Sequence, residues 1–360
     1  MKRMLKPMCV LFVCALFLVP CRAADVIDIL PDEVAEKFDG LQSDSSDTGE
    51  LVEFFSFGRI LGWIKEATAQ AFPSFTRFIL SILGYVLFFS IVDKFALVEN
   101  KSSLSFVLKC CINAALLLYL FGFFSKSCTL IKQNLETIQV FCKASVPVMT
   151  ALLIESGKSF SASLFSYSVS LCSVLLTTLS SNILLPLIHI FISIGSCGLL
   201  WDDLHFASIT DLIKKIIKWI IGGVFSVFTF SLSVQSILTK SADNVTRKAL
   251  KTAASSIPVL GSVLSEGLDG TFTLISGTKT VVAAIGIAAI VMLFIGPATH
   301  LGMQYGALCI ALSVSELFDQ KDCLAILKVA KDAYILLFGL FLVCVLMCVV
   351  CFLIMCIGAN

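Results

Sequence analysis

Glu155 and Glu266 lie 111 positions apart, and the same offset carries Pro147 onto Pro258, Pro186 onto Pro297, His189 onto His300 and Gly195 onto Gly306 without a gap. Carboxylates, imidazoles and prolines are the residues from which membrane proteins build proton relays, ion sites and interrupted helices. Between Ser145 and Gly195 these two prolines, this glutamate and this histidine are alone of their kinds. Scarce residue types agree while the abundant apolar ones drift, so the offset marks an internal repeat.

The elements that position these residues must live in lipid. Of the 360 residues 58% are hydrophobic and 14% charged, against about one-quarter charged in a soluble domain. A net charge of +1 with no basic arm or face gives no footing for nucleic acid. The expected fold class is all-α: a polytopic membrane protein with about eight transmembrane helices and two re-entrant half-helix segments in an internal, inverted repeat.

The first residues read as a signal peptide over 1–23: Lys2, Arg3 and Lys6 precede the apolar run Met8 to Val19, and small residues flank a cut before Ala24. An acidic extracytoplasmic segment follows over 24–72, with a Ser/Asp/Gly-rich linker from Gln42 to Gly49 and helical apolar spacing from Phe54 to Phe72. Further on, a first transmembrane helix fits 73–100, repeat units fit 101–212 and 213–322, and a closing amphipathic and transmembrane helix fits 323–360.

A hydrocarbon core about 30 Å thick takes about 20 apolar residues of helix. Spans of that length fit 74–92, 104–124, 162–181, 183–200, 216–238, 279–296, 298–316 and 333–357. The uncharged run Phe160 to Trp201 is expected to break near Ser180-Ser181-Asn182, and its repeat partner at Gly296-Pro297. Charged stretches such as Asp211 to Lys218 and Lys328 to Lys331 are expected to lie on the membrane surface.

Pro147 to Ile154 is about 12 Å of helix, too short to cross. Proline suits the first turn of a helix, so one re-entrant segment is expected at Pro147–Glu155 and one at Pro258–Glu266. The alternative is that each is the end of an ordinary surface helix, with its glutamate among the headgroups. His189 and His300 are secondary candidates with Pro186 and Pro297; a lone helical histidine more often bonds a backbone carbonyl than an acid. From an outside start, five crossings place Lys240, Arg247, Lys248 and Lys251 in the cytoplasm, as the positive-inside rule asks. Three crossings per unit would invert the second repeat relative to the first.

Other chemistry is weakly supported. Fifteen cysteines include Cys344, Cys348, Cys351 and Cys356 in the last span, where they read as small packing residues; the Cys348/Cys351 pair lacks a second ligand pair. Ser156-Gly157-Lys158-Ser159 ends like a phosphate loop, but Leu152 stands where its first glycine belongs. Gly222-Gly223, Gly286 and Gly302 suit close helix approach. No catalytic constellation, metal site or cofactor is expected.

The stretch from Ser241 through Pro258 and Glu266 to Asp269 resembles stage III sporulation protein AE of endospore-forming Firmicutes, and the likeness covers nearly the whole chain, most specifically Ser241 to Lys279. It implies a multi-pass protein made in the mother cell and placed in the outer forespore membrane. It also implies partners: the other stage III sporulation A-operon proteins and, indirectly, stage II sporulation protein Q, in a channel or secretion-like complex. In that setting Pro147, Glu155, Pro258 and Glu266 are expected to line a path. The alternative is a membrane scaffold anchoring soluble ring components, with no path of its own.

Overall fold

A computed structural model describes residues 57–99, 102–155, 158–197, 206–255, 261–318 and 320–357. The signal peptide, the acidic segment up to residue 56 and Pro258 lie outside the described residues. Everything described is helical: α1 (Phe57–Glu99), α2 (Ser102–Glu155), α3 (Ser159–Leu176), a π-helical segment (Thr177–Leu184), α4 (Leu185–Cys197), α5 (Phe206–Ser255), α6 (Gly261–Leu317) and α7 (Lys321–Ile357). The sequence dictates this, because apolar side chains fill long runs in which few charges interrupt and lipid leaves the backbone only internal hydrogen bonds.

Six helices among the described residues are long and apolar enough to cross a membrane: Leu61–Val92, Val107–Ile154, Ser159–Gly195, Ser208–Val234, Gly286–Leu317 and Asp322–Leu353. The sequence suggested eight, and the difference has two local causes. Ser180-Ser181-Asn182 falls inside the π-helical segment, which joins α3 to α4 as one rod instead of ending either. Gly296-Pro297 falls inside α6, which continues through the proline.

Each of these departures from ideal helix is served by side chains. A helical proline frees one carbonyl and bends the rod. Hydroxyls of the same turns donate to carbonyls beside these prolines: Thr76 Oγ1 to Pro73 O (3.0 Å), Thr150 Oγ1 to Val146 O (2.8 Å) and Thr299 Oγ1 to Gly296 O (2.7 Å). At the π segment, Ser173 O accepts from both Thr177 Oγ1 and the Gln139 amide of α2, each at 3.0 Å, and Ser180 Oγ bonds Leu176 O.

Contacts along the rods fix their directions. On α7, Lys331 lies over Tyr305, Phe341 stacks on Phe294 and Phe352 meets Gly286, so α6 and α7 are antiparallel. Tyr334 meets Phe124 and Phe352 meets Phe141, so α2 and α7 run together. Phe352 touches Phe165, Cys348 touches Cys172 and Val329 lies against Gly195, so the α3–α4 rod runs against α7. Phe78 stacks on Phe123 while Tyr85 meets Tyr119, setting α1 against α2. α5 starts beside the end of α4 and reaches α7 through Lys214 and Asp332. The six rods therefore alternate in direction around α7, whose Leu337, Phe341, Val345, Cys348 and Phe352 are fully buried.

Two expectations change accordingly. α2 and α5, the first helices of the two expected repeat units, run in the same direction, as do the α3–α4 rod and α6. Two rods per unit keep both units in one orientation, whereas inversion needs an odd number. The charged stretches at Asp211 and Lys328 belong to the first turns of α5 and α7 themselves, so they rise with those helices instead of lying apart.

Candidate functional site

A hydrogen-bonded polar chain crosses the apolar interior where α1, α2, α6 and α7 meet. Tyr334 Oη lies 3.3 Å from Ser127 Oγ. Ser127 Oγ donates to Gln304 Oε1 at 2.8 Å, and with that proton committed the tyrosine is the donor to Ser127. The other end of the amide follows: Gln304 Nε2 lies 3.1 Å from His300 Nε2. An amide nitrogen can only donate, so His300 accepts at Nε2 and its neutral ring carries its hydrogen on Nδ1. Ser74 Oγ of α1 lies 3.4 Å from the same Nε2.

Ser127, Gln304 and Tyr334 are each 1% exposed. His300 Nδ1 is also buried and has no protein partner. The chain thus runs in one sense from tyrosine to histidine and ends on an N–H with nothing to meet it. Such a group is costly in an apolar medium unless water or a partner group completes it.

The sequence marked His300 but missed Ser127, Gln304 and Tyr334. A signal was present: His300 and Gln304 are four residues apart, hence on one helix face, within a stretch of α6 that has no charge between Thr280 and Ser315. Its repeat mate behaves differently. His189 Nδ1 lies 2.8 Å from Leu185 O, the ordinary helical back-bond, and its ring meets Phe121 and Phe124 edge-on. Phe124 also meets Tyr334, so both histidines border the same layer of the bundle. Among the described residues neither shows a carboxylate partner.

The remaining expected site residues are spread out. Pro147 is exposed inside α2, which passes through it unbroken, so no half-helix begins there. Glu155 closes α2, Glu266 is in the first turns of α6, Pro186 is exposed near the start of α4, and Pro297 is buried in α6. Beside the Pro147–Glu155 end lies an open groove of about 590 Å³ lined by Thr150, Ile154, Ser159, Ser163, Tyr167 and Ser170 among others. Its hydroxyls are occupied at home: Thr150, Ser163 and Ser170 donate to carbonyls of their own helices.

Buried thiols cluster elsewhere. Cys172 and Cys348 sulfurs lie 3.7 Å apart, and Cys351 Sγ donates to Ser168 O. Among the described residues no group of three or more His, Cys, Asp or Glu is placed to hold a metal ion.

Residues 44–359 match the family described as Stage III sporulation protein AE. The chain belongs to that family. It is similar to Stage III sporulation protein AE of Bacillus subtilis (strain 168), with 20% identity over 274 residues, covering 74% of this chain and 68% of that protein. No solved structure matches.

Proposed function

We propose that this member of the stage III sporulation protein AE family is a multi-pass component of a channel or secretion-like complex between mother cell and forespore, where it lines part of a conduit. It sits in the outer forespore membrane on the mother-cell side, works with the other proteins of its operon and indirectly with stage II sporulation protein Q, and performs no catalytic step. The observation that carries this reading is the coincidence of six membrane-length helices with a hydrogen-bonded polar chain in their shared interior. A passive anchor has no use for buried polar groups that end on an unmet N–H, whereas polar groups at membrane depth are a recurrent mark of transport paths.

Complementation in sporulating cells lacking their own family member tests it. Glu155 and Glu266 are replaced singly by Gln and by Ala, and Gln304 by Leu. A conduit component loses late forespore gene expression in at least one variant that still accumulates in the membrane. Full function in all five is the result a scaffold gives.

A further inference from the structure

Four thiols from three rods meet in the dry interior. Cys348 and Cys351 lie one turn apart on α7, Cys172 is on α3 and Cys142 on α2, and all four are free and buried. The sulfurs of Cys172 and Cys348 are 3.7 Å apart. Cys348 is also within hydrogen-bonding reach of Cys142, and Cys351 within reach of Cys172. Cys351 Sγ donates to Ser168 O, which ties its hydrogen to the α3 backbone. At the same level Phe141 and Phe165 both pack on Phe352, so the three rods that carry the thiols are held together there.

Packing asks for small apolar volume at each position and is indifferent to the atoms that supply it. Sulfur set against sulfur on separate rods is the arrangement from which disulfides form and exchange. Cys348 is its centre, with Cys172 of α3 and Cys142 of α2 as alternative partners. A bond from Cys348 to either one leaves the other thiol beside it. Attack by such a third thiolate on a bonded sulfur is how disulfides move. Bonded sulfurs are about 2.05 Å apart, so the Cys172–Cys348 contact closes by small side-chain rotations.

We propose that this cluster is a redox-operated lock: on two-electron oxidation by a small uncharged disulfide, Cys348 bonds Cys172 and joins α7 to α3, and exchange with Cys142 moves the bond to α2. In the first step a thiolate of the cluster attacks the oxidant, forms a mixed disulfide and expels one thiolate. The neighbouring thiol then attacks the protein sulfur of the mixed disulfide and expels the second. Two protein thiols are oxidised, one disulfide is reduced to two thiols, and the two protein protons end on the released thiols. In the exchange Cys142 bonds Cys348, Cys172 leaves and takes up the proton that Cys142 gives up, and the redox level is unchanged. Burial selects the oxidant, because a charged reagent pays heavily to enter an apolar interior. Either bond ties α7, the central rod, to a neighbour. The inference is independent of the conduit reading.

The purified full-length chain in detergent, treated with dithiodipyridine and mapped by mass spectrometry after digestion without reduction, tests it. Peptides linking Cys348 to Cys172 and Cys348 to Cys142 are expected. Cys172→Ala leaves only the link to Cys142, Cys142→Ala only the link to Cys172, and Cys348→Ala removes both. Oxidised wild type is expected to melt above the reduced chain, because a bond between distant residues restricts the unfolded state. Dithiothreitol reverses the rise, and Cys348→Ala shows none. If Cys348→Ala does not fold, the other two variants carry the comparison, since each keeps one route. No reaction at the four thiols overturns the proposal, as do reagent adducts there without a link to Cys348. A link that forms and leaves Tm unchanged also overturns it, because such a bond locks nothing.

Discussion

The side-chain amide of Gln139 on α2 donates to Ser173 O of α3 at 3.0 Å and lies 3.1 Å from Thr177 Oγ1. The bond reaches the chain where α-helix gives way to π-helix, and π turns leave carbonyls poorly matched to their own ladder. Gln139→Leu keeps the size and removes the donor. Ser173 O retains the Thr177 hydroxyl, so the expected loss is modest, about 0.6 to 1 kcal/mol. Thermal unfolding in detergent reads the stability. Amide exchange over 177–184 reads the location and should rise in the variant. Unchanged exchange there would show that the π segment holds itself.

Gln304 is the hinge of the interior polar chain, because its two ends serve Ser127 and His300. Gln304→Leu strands both partners and is expected to cost about 1 to 3 kcal/mol. Ser127→Ala removes one link and leaves Gln304 Oε1 unmet. If the chain acts as a unit, the double variant destabilises by less than the sum of the two singles, and a double-mutant cycle on Tm measures the difference. Strict additivity would show the two bonds to be independent.

The location of irregularities was legible in the sequence, and their consequence was not. Ser180-Ser181-Asn182 and Gly296-Pro297 do mark irregular places, yet helix continues through both; at the first, Gln139 and Ser180 donate to backbone oxygens of the π-helical region. The Gln139 bond comes from another helix, so no local propensity reveals it. The number of rods bears on orientation too, since two rods in each expected unit leave both units pointing the same way. Positions paired by the 111-residue offset do not share an environment. Any Cβ on Gly195 would sit 2.6 Å from Val329 Cγ1, while its mate Gly306 has open space. Likewise His189 bonds its own helix and His300 ends the polar chain.

Gly286 was legible as a close-approach glycine, and the packing gives the reason: a Cβ there would strike the ring of Phe352. Phe352 is fully buried between Phe141 and Phe165 and has little room to retreat. Gly286→Ala is expected to destabilise by about 1 to 3 kcal/mol through overpacking. Gly286→Ala with Phe352→Leu should recover part of the loss relative to Phe352→Leu alone. If the two changes simply add, the glycine matters for some reason other than that ring.

α3 and α7 meet through sulfur. Cys172 and Cys348 are free and buried with sulfurs 3.7 Å apart, close enough for small rotations to bring them to bonding distance. Treatment of the detergent-solubilised chain with copper phenanthroline is expected to yield a peptide containing both residues, identified by mass spectrometry after digestion. The oxidant takes one electron from each thiol as the S–S bond forms and two protons leave. A linked product joining Cys172 to neither Cys348 nor its neighbour Cys351 would place α7 in a different register against α3.

Four rods, α1, α2, α3–α4 and α5, precede the end of α5, and their alternation puts that end on the same side as Phe57 and Ile357. The basic residues Lys240, Arg247, Lys248 and Lys251 lie on the last turns of α5, and the positive-inside rule assigns such a cluster to the cytoplasm. The side shared by Phe57, Ile357 and the cluster is then cytoplasmic, whereas five crossings from an outside start would have separated the cluster from Phe57. Epitope tags placed after Ser255 and after Asn360 test this in protoplasts, with antibody access compared before and after permeabilisation. Both tags are expected to stay hidden until permeabilisation. One hidden and one reached from outside would require an odd number of crossings between Ser255 and Asn360, where α6 and α7 supply two. It would also restore the separate crossing that the unbroken passage of α6 through Pro297 removes.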